Sequence, residues 1–122
     1  MSEHDIKLQI KEAEFLSQVT ELLEMFRWRW CHFRPARTKD GWRTALSGDK
    51  GFPDIVAIKE LNGGSVRLLF IELKREQGKL TEAQKGWLDL LNKVAGVETY
   101  VWYPHNWNEI CNSLIEMVGE QI

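Results

Sequence analysis

The 122-residue chain has no apolar run near the ~18 residues that a membrane-crossing helix requires. Its opening, Met1-Ser2-Glu3-His4-Asp5, has neither the basic segment nor the apolar core of a secretory leader. Together these absences predict a cytoplasmic protein with no membrane association. Cysteine is scarce as well. Cys31, in a predicted strand, and Cys111, in a predicted helix, lack the paired spacing of a zinc site and are expected to be two buried thiols. No internal repeat, low-complexity tract or linker divides the chain, so residues 1–122 are expected to form one domain with a single core.

Net charge is also small, −2, but it is unevenly spread. Residues 27–50 hold seven basic side chains against two acidic ones, whereas the flanking stretches 1–26 and 51–122 are net −4 and −3. The basic segment is interleaved with Trp28, Trp30, His32, Phe33 and Trp42, the mixture that phosphate binding with base or sugar stacking uses. Arg34, Arg37, Lys39, Arg43 and Lys50 are its candidate nucleic-acid contacts. The competing reading is a solvated loop after a strand whose tryptophans belong to the core.

Apolar periodicity predicts a helix from about Ile10 to Arg27, a strand over Trp28 to Phe33, and a long polar loop over Pro35 to Gly51. Strands are expected over Asp54–Lys59 and Val66–Leu73, joined across Asn62-Gly63 as a hairpin. Then come a helix from about Thr81 to Val94 ended by Gly96, a strand over Glu98–Tyr103, and a helix over Trp107–Val118 capped by Asn106 or Asn108. The order αβββαβα argues an α/β fold, a mixed sheet flanked by helices, whose last strand runs parallel to its predecessor through a right-handed crossover. His105 follows that strand and reads as a surface residue, with contact to phosphate or metal as the alternative.

Asp54 opens one hairpin strand behind Gly51-Phe52-Pro53, and Glu72-Leu73-Lys74 closes the other. Side chains alternate along a strand, so Glu72 and Lys74 share a face while Leu73 points away. Two carboxylates suit a hard divalent cation, and a lysine beside them can orient water or stabilise a developing phosphoryl charge. Pro53 restricts the approach to Asp54, and Phe52 is expected to pack. Thr81 and Gln84 have capping-box spacing at the start of the next helix.

Gly-Phe-Pro-Asp, Ile-Glu-Leu-Lys and Thr-Glu-Ala-Gln followed by Trp87 and Leu88, in this order and spacing, resemble the virus-type replication-repair nuclease (VRR-NUC) domain of the PD-(D/E)XK nuclease superfamily, from about Glu12 to about Tyr103. The resemblance implies a restriction-endonuclease-like core and a Mg2+- or Mn2+-dependent endodeoxyribonuclease. It implies Asp54 and Glu72 as metal ligands, with the Leu73 backbone carbonyl as a further one, Lys74 assisting the attacking water, and Gln84 completing the site. It also implies an acidic residue on the first helix. Glu12 continues the stripe Phe15, Val19, Leu22, Phe26 and is preferred, with Glu14 as the alternative. Stand-alone members resemble junction-cleaving enzymes, which implies branched DNA such as a Holliday junction, a homodimer, and a bacterial or phage-infected cell. The competing expectations are a nuclease-like module that binds DNA without cutting it, and a subunit that needs a partner for substrate recognition.

Overall fold

The computed structural model describes residues 3–33, 36–38, 41–43 and 47–115, with side chains over 13–33 and 47–115. Its elements are α1 (Glu3–Met25), β1 (Arg29–His32), β2 (Ala36–Thr38), β3 (Gly41–Arg43), β4 (Ile55–Glu60), β5 (Val66–Leu73), α2 (Glu82–Leu91), β6 (Val97–Trp102), a 3-10 turn (Pro104–Asn106) and α3 (Trp107–Leu114). The expected αβββαβα order is present with one addition. Inside the stretch expected as loop, β2 and β3 form a separate antiparallel hairpin, pairing Arg37 with Trp42. Strands of three residues are too short to show a period of two, so composition alone read as loop.

The main sheet has the order β1-β4-β5-β6, with β1 and β5 antiparallel to β4, and β6 parallel to β5. Alternation sends Ile55 and Ala57 of β4, Leu69 and Ile71 of β5, and Trp102 of β6 into one apolar layer. Phe15, Val19 and Leu23 of α1, at steps of four, and Ile110 and Leu114 of α3 close over that layer. Thus α3 spends its apolar face on the sheet. Arg27 ends the first helical segment in the left-handed region (φ 65°), which turns Trp28 inward. The Trp28 Nε1–H donates to the Leu114 carbonyl (2.9 Å), so this tryptophan is a core residue and not a stacking platform. Trp30 is half-buried, with Nε1–H donating to Glu24 Oε1 (2.8 Å), and the Trp42 side chain lies outside the described residues.

On the other face, Phe52 packs edge-on against Phe33, Phe70 and Trp87, with ring centroids 5.0–5.9 Å apart. The expectation of two buried thiols is corrected: Cys31 is exposed and Cys111 half-buried. β1 is an edge strand, and Cys31, opposite Val56, falls on the face away from the apolar layer, while Ile110 takes the core position beside Cys111. Among the described residues, no helix is long and apolar enough to cross a membrane.

Candidate active site

Asp54 and Glu72 meet because β4 and β5 are paired in a register that sets Ile55 opposite Ile71. Each carboxylate is one position away from that pair, at the same end of the sheet. The Leu73 N–H donates to Asp54 Oδ2 (2.9 Å), fixing the aspartate against the end of β5. Gly51 positions the approach to Asp54. Its φ is +95°, and a methyl group there would come within 2.6 Å of the Ala83 carbonyl carbon, so the loop lies directly on α2. The Trp87 indole N–H reinforces this contact by donating to the Lys50 carbonyl (3.0 Å).

Glu72 alternates away from the apolar layer and is 2% exposed. Its Oε1 accepts from Gln84 Nε2 (2.8 Å), and the Lys74 ammonium lies 3.9 Å from the same oxygen. Its Oε2 is buried without a hydrogen-bond partner. Burial, reinforced by the Asp54 charge, pushes the Glu72 carboxyl up to about 8, and Lys74 offsets only part of this. Orphaned buried oxygens are rare because each forfeits its hydration. Two adjacent carboxylates, one with an unsatisfied buried oxygen, supply the hard oxygen donors that a divalent cation takes.

Gln84 fills two roles with its two amide atoms. Its Oε1 accepts from the Thr81 N–H (2.9 Å) while the Thr81 hydroxyl accepts from the Gln84 N–H (3.1 Å), closing the capping box of α2. Its Nε2 is left to hold Glu72.

A cavity of about 260 Å3 opens beside Asp54, lined by Leu73, Lys74, His32 and by Ala13, Phe15 and Leu16 of α1. The Glu12 side chain lies outside the described residues, at helical spacing of three and four from Phe15 and Leu16. Glu14 is exposed, and among the described residues no third His, Cys, Asp or Glu joins Asp54 and Glu72 in a metal-holding group. Arg34 and Lys39 lie outside the described residues, as do the side chains of Arg37 in β2 and Arg43 in β3. Lys50 is described and exposed, on the loop that docks against Trp87. Sequence reasoning did not place His32 at this cavity. The pairing of His32 with Ile55, and the bond from the Phe33 N–H to the Asp54 carbonyl (3.0 Å), bring it there.

A four-stranded mixed sheet flanked by helices, with Asp, Glu-x-Lys and a helix Gln gathered at one end, defines the PD-(D/E)XK class of nuclease folds. The family model of the VRR-NUC domain matches residues 30–105, more than half of the chain, and the chain belongs to that family. It is a nuclease domain of the PD-(D/E)XK type. The matched range contains Asp54, Glu72, Lys74 and Gln84, and leaves out Glu12 and Glu14. Comparison with curated proteins and with solved structures gives no match.

Proposed function

We propose that this chain is a divalent-metal-dependent endodeoxyribonuclease in which Asp54, Glu72 and the Leu73 backbone carbonyl hold Mg2+ or Mn2+, with Glu12 as a further ligand. The observation that carries this reading is the buried Glu72 carboxyl, whose Oε2 accepts no hydrogen bond from a donor and has the Asp54 carboxylate beside it. Such a cation, when bound, activates water and offsets charge developing on the phosphoryl oxygens. Asp54 is held for this task by the Leu73 N–H, and Glu72 by Gln84, so neither carboxylate has to be reoriented. Lys74 orients the attacking water and adds positive charge on the side of Glu72 Oε1.

DNA is the substrate class, and a branched form such as a Holliday junction is the proposed target. A homodimer would set two such sites against opposed strands, and isologous pairing is the commonest way to build one. The basic segment with Arg34, Arg37, Lys39, Arg43 and Lys50 supports this reading through its net charge of +5 just ahead of Asp54.

The test is cleavage of four-way, flap and linear DNA by the purified chain with Mg2+, Mn2+ or chelator, beside a solution mass measurement. Cleavage that requires metal and disappears in Asp54→Asn is expected. Metal-dependent cleavage retained by Asp54→Asn overturns the assignment, and binding without cleavage under every metal favours a DNA-holding module.

A further inference from the structure

The loop that leaves the site carries a second polar cluster. His105 Nδ1–H donates to Glu76 Oε2 (2.6 Å), and the His105 ring stacks on Tyr103 with centroids 5.3 Å apart and planes 15° apart. The Tyr103 hydroxyl donates to the Gly78 carbonyl (2.9 Å), which ties this stack to the turn that follows Lys74. His105 is nevertheless 62% exposed, and its partner Glu76 is exposed as well. An exposed ion pair adds little stability, yet this ring is fixed by a carboxylate at one nitrogen and an aromatic face beneath it. That arrangement sets the orientation of the second nitrogen, as carboxylates do for histidines that hold ligands.

Its place in the fold indicates the ligand. The Lys74 N–H donates to the Trp102 carbonyl (2.9 Å), so Tyr103 continues β6 beside Lys74 at the same end of the sheet as Asp54 and Glu72. The loop 74–79 carries Lys74, Arg75 and Lys79 against Glu76 alone, and the Glu76 carboxylate is engaged by His105. This loop is therefore net positive and favours an anion beside it. His105 stands one ring stack beyond Tyr103 and is not among the residues that line the cavity beside Asp54. That position suits a phosphate flanking the one held there.

We propose that His105, oriented by Glu76 and Tyr103, binds a DNA backbone phosphate flanking the one that is cut, donating from Nε2–H while Nδ1–H stays on Glu76. The ring then carries both protons, and the Glu76 carboxylate balances its charge against the phosphate. The contact sets the register of the DNA strand across the site, and it rests on the nuclease reading above for the position of the cut.

The experiment uses the full chain and synthetic four-way and duplex DNA in which single phosphates around the cut are replaced by neutral methylphosphonates. Affinity is measured with chelator present, so that cleavage plays no part. Neutralising one flanking phosphate should weaken wild-type binding by about tenfold, and His105→Ala should lose the same factor and become insensitive at that position alone. The salt dependence of binding should fall by about one unit of slope in His105→Ala. Glu76→Gln should weaken binding less, at the same phosphate. Unchanged melting of both variants shows that the fold is intact. Equal sensitivity of wild type and His105→Ala at every phosphate overturns the proposal. Binding coupled in this way, in a protein that cuts no DNA under any metal, would instead remove the proposed cleavage and leave the contact of His105 with a backbone phosphate standing.

Discussion

The two ends of β5 each set a carboxylate beside a cation, and they are completed in opposite ways. Near its start, Arg67 Nε–H and Nη2–H donate to Glu98 Oε2 and Oε1 of the neighbouring β6 (2.8 and 2.7 Å), Nη1–H donates to the Ser113 carbonyl, and the Tyr100 hydroxyl donates to Glu98. The guanidinium also lies 5.1 Å over the Trp28 ring. Hydrogen bonds from Arg67 hold the Glu98 carboxyl below its ordinary value, and the same bonds raise the guanidinium. At the other end Glu72 has one bonded oxygen and one orphan, a lysine 3.9 Å away and a second carboxylate for a neighbour. Its carboxyl is pushed the other way, to about 8. A satisfied ion pair stabilises the native state in place; an unsatisfied buried carboxylate costs stability until a ligand completes it. The first end is structure and the second is the candidate site.

The largest effect that can break this contrast is on cleavage. Glu72→Gln and Lys74→Ala should each lower the rate by on the order of 10^3-fold while still melting cooperatively. Glu98→Gln should leave the rate within about threefold and destabilise the fold by about 2 kcal/mol, because Arg67 keeps its charge and loses its bidentate partner. Single-turnover rates and thermal melts on the three proteins decide the matter. A Glu98→Gln protein that melts normally but fails to cut would mean that the two ends are not separate.

Stability against pH should run in opposite directions at the two ends. Glu72 is raised above its ordinary value of 4.5, so the native state holds that proton more tightly than the unfolded chain does. Its contribution is complete below pH 4.5 and is lost as the pH rises through about 8. Glu98 is lowered, so its contribution is complete above 4.5 and is lost as the pH falls below that value. Metal-free wild type should therefore lose melting temperature between pH 5 and 8, and Glu72→Gln should flatten that slope. At pH 8, Mn2+ at about 100 times its Kd should restore about 2.7 kcal/mol in wild type and nothing in Glu72→Gln. A slope that survives in Glu72→Gln would assign the effect elsewhere.

Next in size is Gly51→Ala. The added methyl would collide with Ala83, and a residue with a side chain is strained at φ +95°, so a loss of about 1–3 kcal/mol is expected. Because the loop leads into Asp54, the same change should slow cleavage by about tenfold or more, and metal affinity by calorimetry should fall with it. Destabilisation with unchanged metal affinity would show that Asp54 is held by the Leu73 N–H alone.

These two ends were not equally legible in the sequence. Asp54, Glu72 and Lys74 stand at strand ends whose alternation can be read locally, and their gathering needs only the Asn62-Gly63 hairpin, which sets β4 against β5. The clamp of Arg67 on Glu98 joins residues 31 positions apart across a parallel pairing whose register no turn specifies. Likewise, His105 and Glu76 are 29 positions apart, and their meeting depends on where two strands end. The exposure of Cys31 has the same origin, since an apolar-looking strand does not announce that it will be an edge. Charge counting found the basic segment but not its hairpin, because three-residue strands leave no period to read.

The smallest effect separates two functions of one side chain. Thr81→Ala removes the hydroxyl that accepts the Gln84 N–H, a loss of about 1 kcal/mol in a helix cap, and leaves the Gln84 amide free to keep both its other bonds. Gln84→Ala removes the reciprocal cap bond and also the donor to Glu72 Oε1. Gln84→Ala should thus be the less stable of the two by about 1–3 kcal/mol, and it alone should slow cleavage, by about tenfold. Restoring the site through Gln84→Glu is not expected, because a carboxylate there would bring a third negative charge to Glu72 and Asp54 before any cation arrives. If Thr81→Ala slows cleavage as much as Gln84→Ala, the glutamine acts only by starting α2 in the right place. The end of β5 would then owe its geometry to a helix cap instead of to a direct bond.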